Sequence, residues 1–408
     1  MKVNLQLAIT SLTSALDFVG VDEVQHGKRV ALIAAAIAEE MGWDRSSCRE
    51  MMYAGMLHDC GVSRTREHRQ LTDHLEWKGA QDHCLRGEKY LLACPPLAHF
   101  ATIIRWHHTR WENLLKEPLA DKVRLQSNLI FLADRIDVLV EPYIIGRSLK
   151  NDILWEYPRI VERIGALSGV MFCPDLIAAF ARAAGRESTW LRLDPSYIEE
   201  EIEEQLSLGG LVELDTTDAL SIAGLFARTV DAKSTYTLEH STRVARIARY
   251  LAEAMGISGE GLDKIEIAAL LHDIGKLRVS EDIIDKPGPL TSEERAYVMR
   301  HSYDTGRILK RVFRGQPIAD WASMHHENLL GTGYPDHLAS STIPREARLI
   351  TVADIFQAMS QERPYRASLN STEVMAHMEK LSALGRIDAD MVKLLHTHLD
   401  QCYSLAVD

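Results

Sequence analysis

Seventeen histidines stand in a chain of 408 residues, and their order points to metal chemistry. In the second half His240, His272, Asp273, His301, His325, His326 and Asp354 succeed one another. The first half carries the same order as His26, His58, Asp59, His83, His107, His108 and Asp134. His26 to His58 and His240 to His272 both span 32 residues, and in each half the third histidine precedes the adjacent pair by 24. A lone histidine on an apolar face is usually a hydrogen-bonded core group. Seven such groups in one helical core are costly to bury unless they pair or hold cations. Five imidazoles and two carboxylates approach a full shell for two transition-metal ions. Imidazole suits Zn, Fe, Mn or Ni, and a bridging carboxylate with open water positions suits hydrolysis.

The elements that must position these groups are helices. From His240, apolar or small residues recur at Val244, Ile247, Ala248, Leu251 and Met255, followed by Gly256; from His26, the same offsets give Val30, Ile33, Ala34, Ile37 and Met41, followed by Gly42. These offsets trace one face of an α-helix, and the glycine is a C-terminal stop. His58-Asp59 and His272-Asp273 each close a short apolar helical stretch, and no clear alternating strand pattern occurs. The expectation is an all-α chain of two tandem helical domains related by internal duplication. The first would cover 1–195, a linker region 196–229 and the second domain 230–408. The acidic run Glu199 to Glu204 reads as a solvated connecting helix.

Composition narrows the class. With 46% hydrophobic and 25% charged residues the chain is globular rather than disordered. Its formal charge of −12 disfavours a footprint on a nucleic-acid duplex or an anionic membrane. No apolar run approaches the roughly 20 residues that span a bilayer, and the N-terminus lacks a secretory pattern. Six scattered cysteines without Cys-x-x-Cys spacing read as reduced thiols of a cytoplasmic protein. The oligomeric state stays open, a homodimer included.

The ordered set His … His-Asp … His … His-His … Asp resembles the HD superfamily of metal-dependent phosphohydrolases. The second half adds His272-Asp273-Ile274-Gly275-Lys276, Lys286-Pro287-Gly288-Pro289-Leu290-Thr291, His325-His326-Glu327, Gly331-Thr332-Gly333-Tyr334-Pro335 and Arg363-Pro364-Tyr365-Arg366. Over about residues 230 to 370 this resembles the HD-GYP subfamily, known as bacterial cyclic-dinucleotide phosphodiesterases. The resemblance implies that His240, His272, Asp273 and Asp354 hold one divalent ion and that His301, His325 and His326 hold a second, with Asp273 bridging. Fe, Mn and Ni all suit such a site. A bridging hydroxide would attack the phosphodiester, with Lys276 reaching a phosphate oxygen or the leaving group. Arg363 and Arg366 would clamp phosphate, and Gly333 and Tyr334 would lie against the substrate. Cyclic di-GMP or 3′,3′-cyclic GMP-AMP would be opened to a linear dinucleotide. Two alternatives stay open: an HD-type nucleotidase or nucleoside triphosphohydrolase, and a signalling protein that binds the dinucleotide without turnover.

Departures from the family pattern carry information. Tyr236 stands where some members place a third-metal glutamate, so two ions are expected. Leu330 and Gln357 replace residues that are commonly acidic. The first half has Val62 in place of Lys276, no Gly-Tyr-Pro loop after His107-His108, and Glu141-Pro142-Tyr143-Ile144 in place of the arginine pair. Asp22 and Asp137 are additional acids there. A metal shell without a phosphate clamp suggests a regulator, a domain acting on a smaller substrate, or a packing partner with a structural metal.

Overall fold

The computed structural model describes residues 1–20, 25–145, 152–207, 210, 212–234, 239–362 and 368–407. These fold almost entirely as α- and 3-10 helices. The regular β-structure among them is one antiparallel ladder, Val3–Asn4 against Glu213–Leu214, both strands in the second of two compact units. The first unit comprises Leu12–Val62 and Arg66–Val212. The second comprises Glu213–Asp408 together with Met1–Ser11 and Ser63–Thr65.

In the first unit the helix His26–Glu40 carries the apolar stripe expected of it: Val30, Ile33, Ala34 and Ile37 are buried, and the helix gives way at Met41 and the left-handed Gly42. Helix Arg45–Leu57 packs on it, started by Asp44, whose carboxylate accepts from the Ser47 amide at 2.7 Å. His58 sits at its C-terminal end. Helix Ala80–Leu92 carries His83, the short helix Ala101–Trp106 delivers His107 and His108, and the 25-residue helix Asp121–Ile145 carries Asp134. The acidic helix Ile198–Ser207 belongs to this unit. It buries Ile198, Ile202 and Leu206, and its Glu199 pairs with the buried Lys28, while Glu200, Glu203 and Glu204 face solvent.

The second unit repeats the plan. Helix His240–Ala254 buries Val244, Ile247, Ala248 and Leu251 and is followed by Met255 and left-handed Gly256. Helix Glu260–Leu271 leads to His272, and a 3-10 turn, Ile274–Arg278, follows Asp273. Helix Ser292–Val312 carries His301 and opens with a capping box in which Thr291 and Glu294 bond each other's main-chain amides. Helix Ile318–Ser323 precedes His325-His326, and helix Arg345–Ser360 carries Asp354. The final helix, Leu399–Val407, packs on both the His240 and Asp354 helices. All six cysteines are buried thiols outside any disulfide, and no helix among the described residues is long and apolar enough to cross a membrane.

Candidate metal centre

Both ligand helices start under the same constraint. The residue before each first histidine, Gln25 or Glu239, adopts a left-handed backbone (φ 74° and 64°), a costly conformation for a side chain with a Cβ. Nine residues before each histidine, an aspartate holds the first turn: Asp17 accepts from the Gly27 amide at 3.1 Å, and the buried Asp231 from the Ser241 amide at 3.0 Å and hydroxyl at 2.7 Å. The sequence reading singled out neither pair, although the shared spacing from 17 to 26 and from 231 to 240 was there to be found.

In the second unit the seven expected ligands converge. His272, His301 and His325 each donate Nδ1–H to the carbonyl three residues earlier, Ala269, Val298 and Ala322, at 2.6–2.7 Å. That fixes each ring with its Nε2 turned inward. Asp273 then divides its two oxygens. Oδ2 lies 3.4 Å from His272 Nε2 and 3.7 Å from His240 Nε2, whereas Oδ1 lies 3.5 Å from His301 Nε2 and 3.6 Å from His325 Nε2. Asp354 Oδ1 lies 3.3 Å from His240 Nε2, and the ring of His326 lies 5.0 Å from that of His301. Lys276 reaches back to Asp273 Oδ2 at 2.5 Å.

Burial sets the charges. It disfavours protonated rings, and holds His301 down at about 3 and His326 well below its ordinary value, so both offer neutral lone pairs at pH 7. Burial acts on His272 too, but the adjacent Asp273 carboxylate outweighs it and lifts that ring to about 9. Burial would raise Asp273, yet His272 and Lys276 keep it ionised, well below the usual carboxylate range. Asp273 Oδ1 and His272 Nε2 are buried and have no hydrogen-bond partner among the described residues. Unpartnered inward-facing atoms, around a shared carboxylate whose charge a bound cation would take over from the His272 proton, fit divalent cations.

The loop after the histidine pair is built on Glu327, which the sequence reading quoted without a role. It is buried, and its carboxylate accepts from the amides of Asp336 at 2.7 Å and Leu338 at 3.1 Å. Gly333 presses against the chain at His326 to Asn328, so closely that a Cβ there would lie 2.5 Å from the Cα of Glu327. The Tyr334 ring tilts against His326 at 4.8 Å between centroids and meets the His301 ring edge-on at 6.3 Å. A cavity of about 570 Å³ opens at Lys276, lined also by Ile283, Ile284, Lys286, Pro289, Leu290 and Val298. Arg363, Arg366 and Tyr236 lie outside the described residues.

The first unit brings its seven residues together in the same way. Asp59 Oδ2 faces His58 at 3.3 Å and His26 at 3.8 Å, while Oδ1 faces His83 at 3.5 Å. His83 and His107 approach to 3.2 Å, and Asp134 lies 3.6 Å from both His26 and His108. What differs is the neighbouring contacts. Arg135 binds Asp134 and also the carbonyls of Leu71 and His74 at 2.8 and 2.7 Å, tying the end of helix Thr65–Asp73 to the helix that carries Asp134. His68, buried on that helix, helps line a cavity of about 10 Å³ beside His26, His58 and Asp59, room for about one water. Asp22 lies outside the described residues.

Fold and sites together define a tandem protein of the HD class, whose domains are metal-dependent, and comparison with known proteins agrees. Family models described as HD domain match residues 24–139 and 225–391. The chain is 37% identical over 409 residues to 3′3′-cGAMP-specific phosphodiesterase 1 of Vibrio cholerae, covering 100% of this chain and 94% of that protein. It is 39% identical over 150 residues to a cyclic di-GMP phosphodiesterase of Thermotoga maritima, covering 36% of this chain and 40% of that one. The crystal structure of a cyclic GMP-AMP specific phosphodiesterase of V. cholerae, V-cGAP3, superposes with a TM-score of 0.65 at 26% identity, covering 98% of each chain. The chain belongs to the HD-GYP phosphodiesterases of the HD superfamily.

Proposed function

We propose that the second unit hydrolyses a 3′,3′-linked cyclic dinucleotide, cyclic GMP-AMP or cyclic di-GMP, to its linear form. The observation that carries this reading is the division of Asp273 between two histidine sets, Oδ2 toward His240 and His272 and Oδ1 toward His301 and His325. Two divalent ions of Fe, Mn or Ni, held by those residues with Asp354 and His326, would neutralise phosphate charge and lower the pKa of a water into the neutral range. Cyclic GMP-AMP is favoured because the relative matched along the whole chain is named for it.

The chain's own groups complete the site. Lys276 joins the metal centre to the cavity, so its ammonium sits where a phosphodiester in the cavity meets Asp273. A volume of about 570 Å³ lies in the range of small-ligand sites. Its walls are largely aliphatic, with Lys276 and Lys286 as cations for the anionic ligand. Gly333 and Tyr334 pack against His326, while Arg363 and Arg366 carry the phosphate-clamp role that the family resemblance implies. The first unit, with Val62 where the second has Lys276, we read as a metal-holding domain without hydrolytic activity, its ions bound by His26, His58, Asp59, His83, His107, His108 and Asp134. Six cysteines kept as thiols support a cytoplasmic setting.

Turnover of cyclic GMP-AMP by metal-loaded protein, lost with Asp273→Ala, is the expected result; binding of the dinucleotide without cleavage would leave a signalling role instead.

A further inference from the structure

The two units hold their first histidine by different partners. In the first unit His26 Nδ1 bonds the Asp137 carboxylate at 2.7 Å, and Arg29 grips the same carboxylate through Nε at 2.7 Å and Nη2 at 2.9 Å. All three side chains are buried. In the second unit the position three residues beyond the last ligand is Gln357, fully buried, and His240 Nδ1 bonds its Oε1 at 2.5 Å. Arg243 holds the place three residues after His240 that Arg29 holds after His26. With no carboxylate at 357, it pairs at 3.1 Å with the exposed Glu239. The Gln357 amide has a second contact: its Nε2–H donates to the carbonyl of Ala406 at 3.3 Å, in the final helix Leu399–Val407. Because that nitrogen can only donate, the contact orients the amide with Oε1 toward His240.

We propose that Gln357 is a positioning residue for the ion bound by His240. It fixes the ring with Nδ1 protonated and Nε2 toward Asp273 and Asp354, ties that orientation to the last helix through Ala406, and, being neutral, leaves the ion more weakly held than a carboxylate would. Three facts on independent elements support this. The acceptor faces the one ring nitrogen that is not turned toward Asp273 and Asp354. The duplicated unit shows the anionic version of the same contact. The arginine that accompanies the anion has turned away where the anion is missing. Partners of this kind typically change metal affinity by ten- to hundredfold, and an anionic acceptor makes the imidazole a stronger donor to the ion than an amide does.

This assignment rests on the two-ion reading of the site, and Mn²⁺ uptake tests it without any cleavage assay. Full-length protein carrying Asp59→Asn, which weakens the first unit's centre, is stripped with chelator and titrated with Mn²⁺ by electron paramagnetic resonance. Gln357→Met keeps the volume and removes the acceptor, while Gln357→Glu restores an acceptor with charge. Expected are roughly ten- to hundredfold weaker binding in Gln357→Met and affinity at or above that of the parent in Gln357→Glu. The unfolding midpoint of the stripped protein should be shared by parent and Gln357→Met. If Gln357→Met does not fold, the affinity of Gln357→Glu decides alone. Parent-like binding by Gln357→Met, or binding by Gln357→Glu weaker than the parent's, would overturn the proposal. Failure of the parent itself to take up Mn²⁺ would instead defeat the two-ion reading.

Discussion

The carbonyl oxygen of His301 lies directly against Gly275, so that a Cβ added to Gly275 would stand 2.1 Å from it. The same distance separates a Cβ on Gly61 from the carbonyl of His83. In each half, therefore, the turn after His-Asp and the helix bearing the third histidine meet backbone to backbone. The approach brings His301 to the Oδ1 side of Asp273.

Gly275→Ala accordingly forces that helix away from Asp273. The expected outcome is a loss of about 2 kcal/mol or more of stability, as for other overpacked sites, together with loss of bound metal. Chemical denaturation and elemental analysis of one sample check both. A variant that keeps stability and metal would mean that the contact does not position His301.

Asp231 supplies a pH signature. Burial lifts its carboxyl to about 7 against the bonds from Ser241, so the folded protein binds a proton there that the unfolded chain releases near 3.8. Stability from this group is fully present below pH 3.8 and is lost as pH rises to about 7. Asp231→Asn keeps an acceptor and removes the titration. Between pH 5 and 8 the native protein should lose stability relative to this variant by on the order of 2–3 kcal/mol, read from urea unfolding at both pH values. Parallel curves would show that Asp231 is ionised throughout.

Val62, standing where the second unit has Lys276, predicts a division of labour between the units. His107→Ala should lower the bound metal count and the unfolding temperature, since an ion that binds only the folded unit stabilises it. The kcat for cyclic GMP-AMP should stay within about threefold of the parent, because the ring removed touches no group of the second centre. A loss of turnover comparable to that of Asp273→Ala would assign the first unit a catalytic part.

Ile284 lies on the wall of the Lys276 cavity away from the ligand histidines. Ile284→Trp fills part of the substrate space, so KM for the cyclic dinucleotide should rise about tenfold with kcat little changed. Unchanged KM would move the substrate elsewhere.

Much of this arrangement was legible in the residues. The seven-membered sets, the helix faces from His26 and His240, and the stops at Gly42 and Gly256 follow from local periodicity and spacing, and the structure holds each of them. What escaped depends on contacts between segments distant in sequence. The need for glycine at 275 is set by a carbonyl 26 residues away, and the role of Glu327 by loop amides it reaches only once the chain has turned. The tie between the Asp134 helix and the end of helix Thr65–Asp73 depends on Arg135 reaching back some 60 residues to Leu71 and His74. The contact of Tyr334 with His326, eight residues earlier, likewise forms only once the loop has turned.

Stripping the protein of metal and restoring Mn²⁺ stepwise, with cleavage of 3′,3′-cyclic GMP-AMP followed at each step, tests the central claim most directly. The account predicts no cleavage by the stripped protein and recovery only as the second-unit sites fill, with none in Asp273→Ala at any Mn²⁺ concentration. Cleavage by stripped protein at the rate of the loaded enzyme would contradict it.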